Sequence, residues 1–460
     1  MKRNVFMPLM FLCLFMGACR AQDGPKTMTG DQGAGGSNIA DAAPFTGPTA
    51  FVGATLYPIS REPIENGVLL IEGTRILAAG SKGEIDIPAN ARRVDVQGRI
   101  VMPGLVDTHN HIGGFGGADG SAPIQPDVRI YDSLNVLSSG FKRAWAGGLT
   151  TLNIMPGSGH LLSGQTVYVK LRKDPKRIED WFILGADGKP MGGMKMANGT
   201  NSIREKPFPG TRGKSAALVR QQYIKAKEYK EKIERAAGDL EKIPARDLGL
   251  EGLVEVLEGK RIVHHHTHRH DDIITVLRLK EEFGFRVVLH HVSEGWKVAD
   301  DIAKAGVPCS IIVVDSPGGK LEAVNLVYKT GAVLEKAGVK VAYHTDDWIT
   351  DSRFFFRSAA LGVRAGMTRE GALRALTLSG AEMIDLGDRI GSLDPGKDAD
   401  FIILDGDPLS AYAKVLETWV EGQKVFDRSD PKDHLYAVGG YGASQDIEPY
   451  LCCYDLPEDD

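Results

Sequence analysis

Side chains of types found in metal sites follow five apolar stretches of this chain, and amphipathic helical segments separate the stretches. His109 and His111 end the first stretch, and Lys195 follows the predicted strand DWFILGA at 180–186. The other three stretches end in the run 264–268 (HHHTH), the pair 290–291 (HH) and the pair 346–347 (DD). This strand–helix rhythm covers roughly 280 residues, the size of a parallel (β/α)8 barrel, whose catalytic groups lie at the carboxyl ends of its strands. The sequence therefore predicts an α/β protein with a TIM-like barrel and one site where the strand ends converge.

Short alternating strands fill residues 49–102, and the same pattern returns at 390–430. We therefore predict a small β-sandwich domain built from both chain ends, a barrel at 103–389 and a C-terminal tail at 431–460. An open doubly wound sheet is the alternative to the barrel. No glycine-rich phosphate fingerprint opens the first helix, which weighs mildly against a nucleotide-binding sheet.

The first residues have the composition of a targeting segment. Two positive residues precede an apolar run, 5–16, which is too short to span a bilayer. The sequence MGAC at 16–19 resembles a bacterial lipobox, with methionine where leucine is usual. We predict a lipoprotein-type signal peptide at 1–19, a lipidated Cys19 and a flexible tether at 20–48.

Ordinary secretion is the alternative, with cleavage after Ala18 or Ala21, and an unprocessed tail is a third. Both leading interpretations predict an exported protein, either periplasmic or a membrane-anchored lipoprotein of a bacterium. Contact with the membrane is then expected only through the N-terminal lipid.

Charge and cysteine content exclude some classes of partner and scaffold. The formal net charge is −5 and no basic block dominates, which argues against a nucleic acid partner. The five cysteines form no disulfide framework. Cys309 is expected to be a core thiol, and the adjacent Cys452 and Cys453 either form a strained disulfide or stay free. The sequence leaves the oligomeric state open.

The stretch PGLVDTHNH at 103–111 places two histidines two residues apart at the end of an apolar strand. Alternate side chains of a strand share a face, so His109 and His111 converge on one point. Two imidazoles at a strand end are the beginning of a metal site. Two unrelated surface histidines would be the simpler interpretation of this motif alone, and the later strand ends argue against it.

With the late stretch GSLDPGKDADFIILD, the chain resembles the amidohydrolase superfamily over residues 49–430, the metal-dependent hydrolases of urease, dihydroorotase and imidazolonepropionase type. The resemblance implies that His109 and His111 bind the more buried metal ion. It also implies that His266 and His291 are the ligands of the fifth and sixth strands.

Two further roles follow from the same resemblance. Asp346 corresponds to the eighth-strand aspartate, which binds metal and shuttles protons, and it is preferred over Asp347. Lys195 corresponds loosely to the fourth-strand lysine, which is carboxylated in binuclear members and bridges two metals. The alternative for Lys195 is a solvated lysine in a loop.

The fifth strand offers several histidines. His264, His266 and His268 share one face, and His265 points away. His266 is the favoured ligand and His268 the next, and His268 with Arg269 would then lie near the substrate.

The sixth strand carries two adjacent histidines. Because neighbouring side chains alternate between faces, His290 and His291 are not expected to point into the site together. His291 is the preferred ligand.

The predicted chemistry is metal-dependent hydrolysis of a carbon–nitrogen bond. A divalent metal lowers the pKa of bound water to about 7, so hydroxide is available to attack a carbonyl carbon. Asp346 is the candidate that takes the proton and returns it to the leaving nitrogen. Nitrogen-rich ligation favours zinc, with one or two ions, although Mn, Fe or Co would fit a mixed site. No GxSxG elbow is present to suggest a serine hydrolase.

Deaminase-like members of the superfamily carry a glutamate three residues after the fifth-strand histidine, and here Arg269 holds that position after His266. The segment HHTHRHDDI looks like the imidazolonepropionase-related branch, some members of which hydrolyse dipeptides. The resemblance therefore implies a small amide, cyclic amide or dipeptide substrate. A mononuclear deaminase and a catalytically silent tethered barrel that acts as a binding protein are the alternatives.

Overall fold

A computed structural model describes residues 47–113, 119–313, 320–347 and 349–439. The predicted signal peptide with Cys19, nearly all of the predicted tether, and the pair Cys452 and Cys453 lie outside these residues. Within them, no helix combines the length and the apolar character needed to cross a bilayer.

The strands of the described residues are numbered in chain order. They are β1 (Thr49–Leu56), β2 (Ile64–Glu72), β3 (Arg75–Ser81), β4 (Arg92–Asp95), β5 (Ile100–Pro103), β6 (Leu105–Asn110), β7 (Leu149–Ile154), β8 (Leu162–Gln165), β9 (Val167–Lys170), β10 (Met194–Ala197), β11 (Val263–Thr267), β12 (Val287–His291), β13 (Cys309–Ile311), β14 (Val341–Tyr343), β15 (Phe401–Leu404), β16 (Val415–Val420) and β17 (Gln423–Asp427).

The α-helices are numbered in the same way. They are α1 (Ser139–Ala146), α2 (Arg212–Ala236), α3 (Leu248–Leu257), α4 (His270–Phe283), α5 (Ala299–Lys304), α6 (Thr330–Lys336), α7 (Phe355–Arg364), α8 (Arg369–Ala375), α9 (Leu378–Met383) and α10 (Pro431–Val438).

Strands from the two ends of the chain form one sheet. Its order is β17-β16-β15-β5-β1-β2-β3, and β4 also pairs with β1. The two ends meet where β5 and β15 run antiparallel, with Phe401 opposite Pro103. The contribution of both ends agrees with the prediction. The described residues form a single sheet here, so the two-layered sandwich is not confirmed.

The strands between these ends alternate with helices, as a barrel requires. β10, β11, β12, β13 and β14 are parallel neighbours in that order, and β6 is parallel to β7. The β8–β9 segment, which the sequence patterns did not reveal, adds antiparallel partners to β10 and β7. In the described chain these strands form a six-stranded and a three-stranded sheet, so a closed ring is not detected.

One predicted strand is absent. The segment DWFILGA at 180–186 was expected to be the strand that precedes Lys195, but Ile178–Trp181 forms a 3₁₀ turn. Trp181 is fully buried, and its ring packs edge-on against Phe141 at 4.5 Å. The apolar character of this segment therefore reflects packing of a loop against the core. The strand is β10 itself, and Lys195 lies inside it.

A buried lysine links the barrel to the return strands. Lys170, at the end of β9, is fully buried and forms an ion pair with Asp398. Its Nζ also lies 3.0 Å from Asp400 and 3.6 Å from Glu421. A buried charge is tolerated only when it is paired, so this cluster fixes β9 against the segment around β15.

Candidate metal centre

The ends of β6 and β14 bring together three predicted ligands. His109 Nε2 lies 3.2 Å from His111 Nε2 and 3.4 Å from Asp346 Oδ1. His111 Nε2 lies 3.0 Å from the same Asp346 oxygen. The two histidines are buried and the Asp346 side chain is 13% exposed, so the carboxylate is the member of the group that reaches solvent.

A buried aspartate joins these two strand ends. Asp107 Oδ1 accepts hydrogen bonds from the backbone N–H groups of His109 at 3.1 Å and Thr345 at 3.2 Å. Its Oδ2 accepts from the Thr345 hydroxyl at 2.5 Å and from Asn110 Nδ2 at 2.8 Å. Burial raises the pKa of Asp107 to about 6, although these hydrogen bonds oppose the shift. The strand carrying the histidines is thereby fixed to the strand that precedes Asp346.

The surroundings of Asp346 favour its carboxylate form. Burial alone would raise its pKa, but the hydrogen bond with His111 and the neighbouring positive charge of Lys195 hold the pKa well below its usual value. Its backbone has a φ of 47°, in the left-handed region, and its N–H donates to the His109 carbonyl at 3.0 Å. This turn directs the carboxylate back towards the two histidines.

Lys195 lies in the same group. It occupies the second position of β10, opposite His264 of β11, and is fully buried. Its Nζ lies 3.1 Å from His109 Nε2 and 3.1 Å from Met155 Sδ. The alternative of a solvated loop lysine therefore does not describe this residue.

The fifth strand places its alternate histidines as the period of two predicts. The His266 ring lies 4.4 Å from that of His291 and 4.6 Å from that of His268. His264 lies deeper and contacts Tyr168 and His290. His265 has a different environment: it borders a cavity of about 410 Å³ that Arg212 and Asp272 also line.

The sixth strand departs from strict alternation. The rings of His290 and His291 lie 4.9 Å and 4.8 Å from the ring of His109, so both face the cluster. The expectation that only one of them could point inward is wrong. The physical reason is the backbone, because φ is 69° at His291 and 52° at Val292, which breaks the pleat at the end of β12.

His344 also belongs to the cluster, although the strand-end pattern does not predict it as a ligand. Its Nε2 lies 3.1 Å from His291 Nδ1, and its Nδ1 is 2.8 Å from the Ser310 hydroxyl. The available signal was the spacing HTD, which puts His344 two residues before Asp346, on the same face of an extended chain.

One predicted residue, Arg269, and one alternative ligand, Asp347, lie outside the cluster. Arg269 is 41% exposed at its side chain and forms a two-pronged ion pair with Asp271 at 2.8 and 3.0 Å. Asp347 accepts hydrogen bonds from the Ser352 backbone and hydroxyl, and burial raises its pKa to about 7. His268 does lie in the cluster, stacked on His291 at 5.0 Å with its Nδ1 on the Ser293 hydroxyl at 2.7 Å.

The donor atoms of this cluster fit a divalent metal. Within the described residues, three groups have one ligand atom per residue within 4.8 Å of one another. They are His109–His111–Asp346, His109–His291–His344 and His266–His268–Glu322. In this cluster, three buried imidazole nitrogens also have no hydrogen-bond partner among the described residues: His266 Nδ1, His268 Nε2 and His291 Nε2. Imidazoles with one carboxylate are the donor set of zinc and related metals.

The protonation state of the histidines suits the same role. Burial, followed by the charge of Lys195 and by neighbouring imidazoles, holds the pKa of His109 well below its usual value. The pKa of His266 and that of His291 are lowered in the same direction, again chiefly by burial. The neutral imidazole is the form that ligates a metal.

This chain is similar to known amidohydrolases. A crystal structure of an amidohydrolase from Thermotoga maritima MSB8 is 33% identical, covers 83% of this chain and 100% of its own, and superposes with a TM-score of 0.77. Amidohydrolase tasK of Hapsidospora irregularis is 26% identical over 74% of this chain, which spans only 38% of that longer relative.

Two bacterial relatives match over most of their own length. A 5-methylthioadenosine/S-adenosylhomocysteine deaminase of Symbiobacterium thermophilum is 23% identical over 82% of this chain and 92% of its own. An imidazolonepropionase of Caldanaerobacter subterraneus subsp. tengcongensis is 25% identical over 75% of this chain and 85% of its own. A family model described as "Amidohydrolase family" matches residues 100–425, and this chain therefore belongs to the amidohydrolase family.

Proposed function

We propose that this protein hydrolyses a carbon–nitrogen bond of a small amide, cyclic amide or dipeptide at a divalent metal centre. The observation that carries the proposal is the position of the ionised Asp346 carboxylate, 3.0 Å from His111 and 3.4 Å from His109. A partly exposed carboxylate against two buried imidazoles at the ends of barrel strands provides both ligands and a base where substrate can enter.

The residues that would hold metal form two adjoining sets. His109, His111, Asp346 and Lys195, if the lysine is carboxylated, would hold one ion. His266 and His291, with a carboxylated Lys195, would hold a second. Such a cation, zinc for this donor set, acts as a Lewis acid that polarises a carbonyl and makes water more acidic.

The chain's own residues supply the remaining steps. Asp346 is the group that accepts a proton from the attacking water at its carboxylate and delivers it to the leaving nitrogen. The carboxylate is the form that can accept a proton, and the contacts of Asp346 with His109 and His111 favour that form. His268 Nε2 is buried and has no hydrogen-bond partner in the described part of the chain, so it is the candidate contact for a polar group of the substrate. Arg269, which is committed to Asp271, would contact only a substrate that extends to the surface.

Deamination is the second candidate, because one relative named above is a deaminase. The glutamate that deaminase-like members carry three residues after the fifth-strand histidine is replaced by Arg269, whose guanidinium is already paired. An arginine cannot shuttle a proton at neutral pH, which favours hydrolysis of amides.

For the location of the protein, we propose that it is exported and carries a lipid on Cys19.

The test is metal content measured by elemental mass spectrometry on the purified full chain, beside Lys195→Ala. About two ions per chain in the wild type, reduced in the variant, is the expected result for a lysine-bridged pair. Screening of dipeptides, cyclic amides and aminated bases then separates hydrolysis from deamination. A wild-type protein that neither retains nor regains metal would exclude the hydrolase and leave a binding protein.

A further inference from the structure

A row of buried rings leads from the candidate ligand His109 into the interior. His109 Nδ1 lies 3.3 Å from His290 Nδ1, and His290 Nε2 lies 3.0 Å from His264 Nδ1. His264 Nε2 then lies 2.9 Å from the hydroxyl of Tyr168. All four side chains are at most 2% exposed, so each ring depends on its neighbours for hydrogen bonds.

The role of His109 determines which atom of each ring carries a proton. Its Nε2 faces Lys195, His111 and Asp346, so a metal ion would bind there and leave the proton on Nδ1. A neutral imidazole has one donor and one acceptor. His109 therefore donates to His290 Nδ1.

The same rule then fixes the rest of the row. His290, having accepted at Nδ1, donates from Nε2 to His264 Nδ1, and His264 donates from Nε2 to the Tyr168 oxygen. Both rings are fully buried, and burial disfavours the charged form of an imidazole.

We propose that His290, supported by His264 and Tyr168, is a positioning residue that holds His109 in the tautomer that binds metal. The inference rests on the proposed function only through the assignment of His109 as a ligand. Metal-binding histidines usually donate their second N–H to a carboxylate, a backbone carbonyl or water. Here the acceptor is a neutral ring whose own orientation depends on the next one.

The row has a second possible direction, which explains why a positioning group matters. If the Tyr168 hydroxyl donates to His264 Nε2, every proton moves to the other nitrogen and His109 carries its proton on Nε2. That atom then cannot bind a metal. Metal binding therefore selects one of two directions, and the rings that hold that direction contribute to affinity.

The test compares two substitutions of one residue. His290→Gln keeps an oxygen that accepts from His109 and an N–H that donates to His264, whereas His290→Leu fills similar space with neither. Zinc affinity of the full chain is measured by competition with a chromophoric chelator. We expect roughly 10- to 100-fold weaker binding for His290→Leu, and values within a few-fold of wild type for His290→Gln.

Matched controls separate this effect from the loss of any buried polar ring. His160 is 1% exposed and bonds only to a backbone carbonyl in the described structure, so His160→Leu should leave zinc affinity unchanged. Tyr168→Phe should weaken zinc binding less than His290→Leu does. Tyr223→Phe, which removes a fully buried hydroxyl bonded to Met196 Sδ, should have no effect.

A spectroscopic readout on the wild type does not depend on any variant folding. Imidazole ¹⁵N NMR of the zinc-loaded protein should show the His290 proton on Nε2. A proton on Nδ1, or equal zinc affinity for His290→Leu and wild type, would overturn the inference while leaving the proposed function intact. A wild type that binds no zinc would instead refute the proposed function, and the inference with it.

Discussion

The Nε2 atom of His111 lies 3.0 Å from Oδ1 of Asp346. Asp347, which follows Asp346 in the chain, instead accepts hydrogen bonds from the backbone N–H and the hydroxyl of Ser352. Adjacent carboxylates in one turn therefore have different surroundings. One faces the histidines at the strand ends, and the other fixes the loop that follows β14.

This difference predicts unequal effects of two matched substitutions. Asp346→Asn should lower kcat by about 10²–10⁴-fold, because an amide cannot accept the proton that the reaction transfers. Asp347→Asn should keep kcat within about tenfold and bind the normal amount of metal, since it lies outside the ligand group. Steady-state kinetics on a substrate found by screening, with metal analysis, checks both. Equal losses in the two variants would contradict the assignment of Asp346.

Removal of metal should destabilise the folded protein. The buried nitrogens His266 Nδ1 and His291 Nε2 have no hydrogen-bond partner within the described structure, so a bound ion would satisfy atoms that are otherwise costly to bury. Ligand linkage gives about 4 kcal/mol at a free concentration 1,000 times Kd. Calorimetry after chelator dialysis should show a lower Tm that zinc restores, and an unchanged Tm would argue against a tightly held ion.

The buried Lys170 should matter for stability more than any surface lysine. Lys170→Met leaves the carboxylates of Asp398 and Asp400 without their central cation, which should cost about 3–5 kcal/mol of unfolding free energy. Lys424→Met is the control, because its ion pairs with Glu417 and Asp427 are partly exposed and should contribute less than about 1 kcal/mol. Urea unfolding curves compare the two, and similar midpoints would show that the Lys170 cluster does not hold β9 in place.

The Glu294 carboxyl group should make the unfolding free energy depend on pH in the acidic range. Burial alone would raise its pKa, but hydrogen bonds from Lys297, His270 and Asn325 lower it below the usual value. A carboxyl group whose pKa is lower in the folded than in the unfolded state stabilises the folded protein when the pH is above the unfolded-state pKa. This contribution is lost as the pH falls from the unfolded-state pKa through the folded-state pKa.

The corresponding experiment uses Glu294→Gln. The wild type should be more stable than this variant at pH 6, and the difference in unfolding free energy should shrink as the pH is lowered from about 5 towards 3. The exposed Glu281→Gln is the control and should track the wild type throughout. A difference for Glu294→Gln that is independent of pH would mean that the lost hydrogen bonds, and not the charge, explain the destabilisation.

Much of the site was predictable because it follows from a period of two. The spacing of His109 and His111 and the alternation of His264, His266 and His268 both appear in the structure as expected. Lys195 is buried within a strand beside His109. The sequence around Lys195 resembles the fourth-strand lysine of the superfamily too loosely to predict this position.

The misses have local physical causes. Strand alternation fails at His291, where the backbone has a left-handed φ and the rings of both His290 and His291 face the cluster. No sequence pattern predicts this φ angle. Hydrophobicity predicts a strand at 180–186, but it cannot distinguish a strand from a loop packed on the core. Glu322 joins the cluster from a 3₁₀ turn beyond β13, where no periodic pattern connects it with His266.

The antiparallel pairing of Pro103 with Phe401 has a consequence for how the protein acquires its structure. β6, which carries His109, begins two residues after the end of β5, and β5 pairs with β15. β15 is synthesised only after all of the strands from β6 to β14. Contacts between residues this far apart form slowly, since closing a long loop costs entropy before any contact forms. The pairing with β15 that supports β5, and through it β6, therefore cannot form until residues 401–404 have been synthesised, so we expect the candidate metal centre to assemble late in folding.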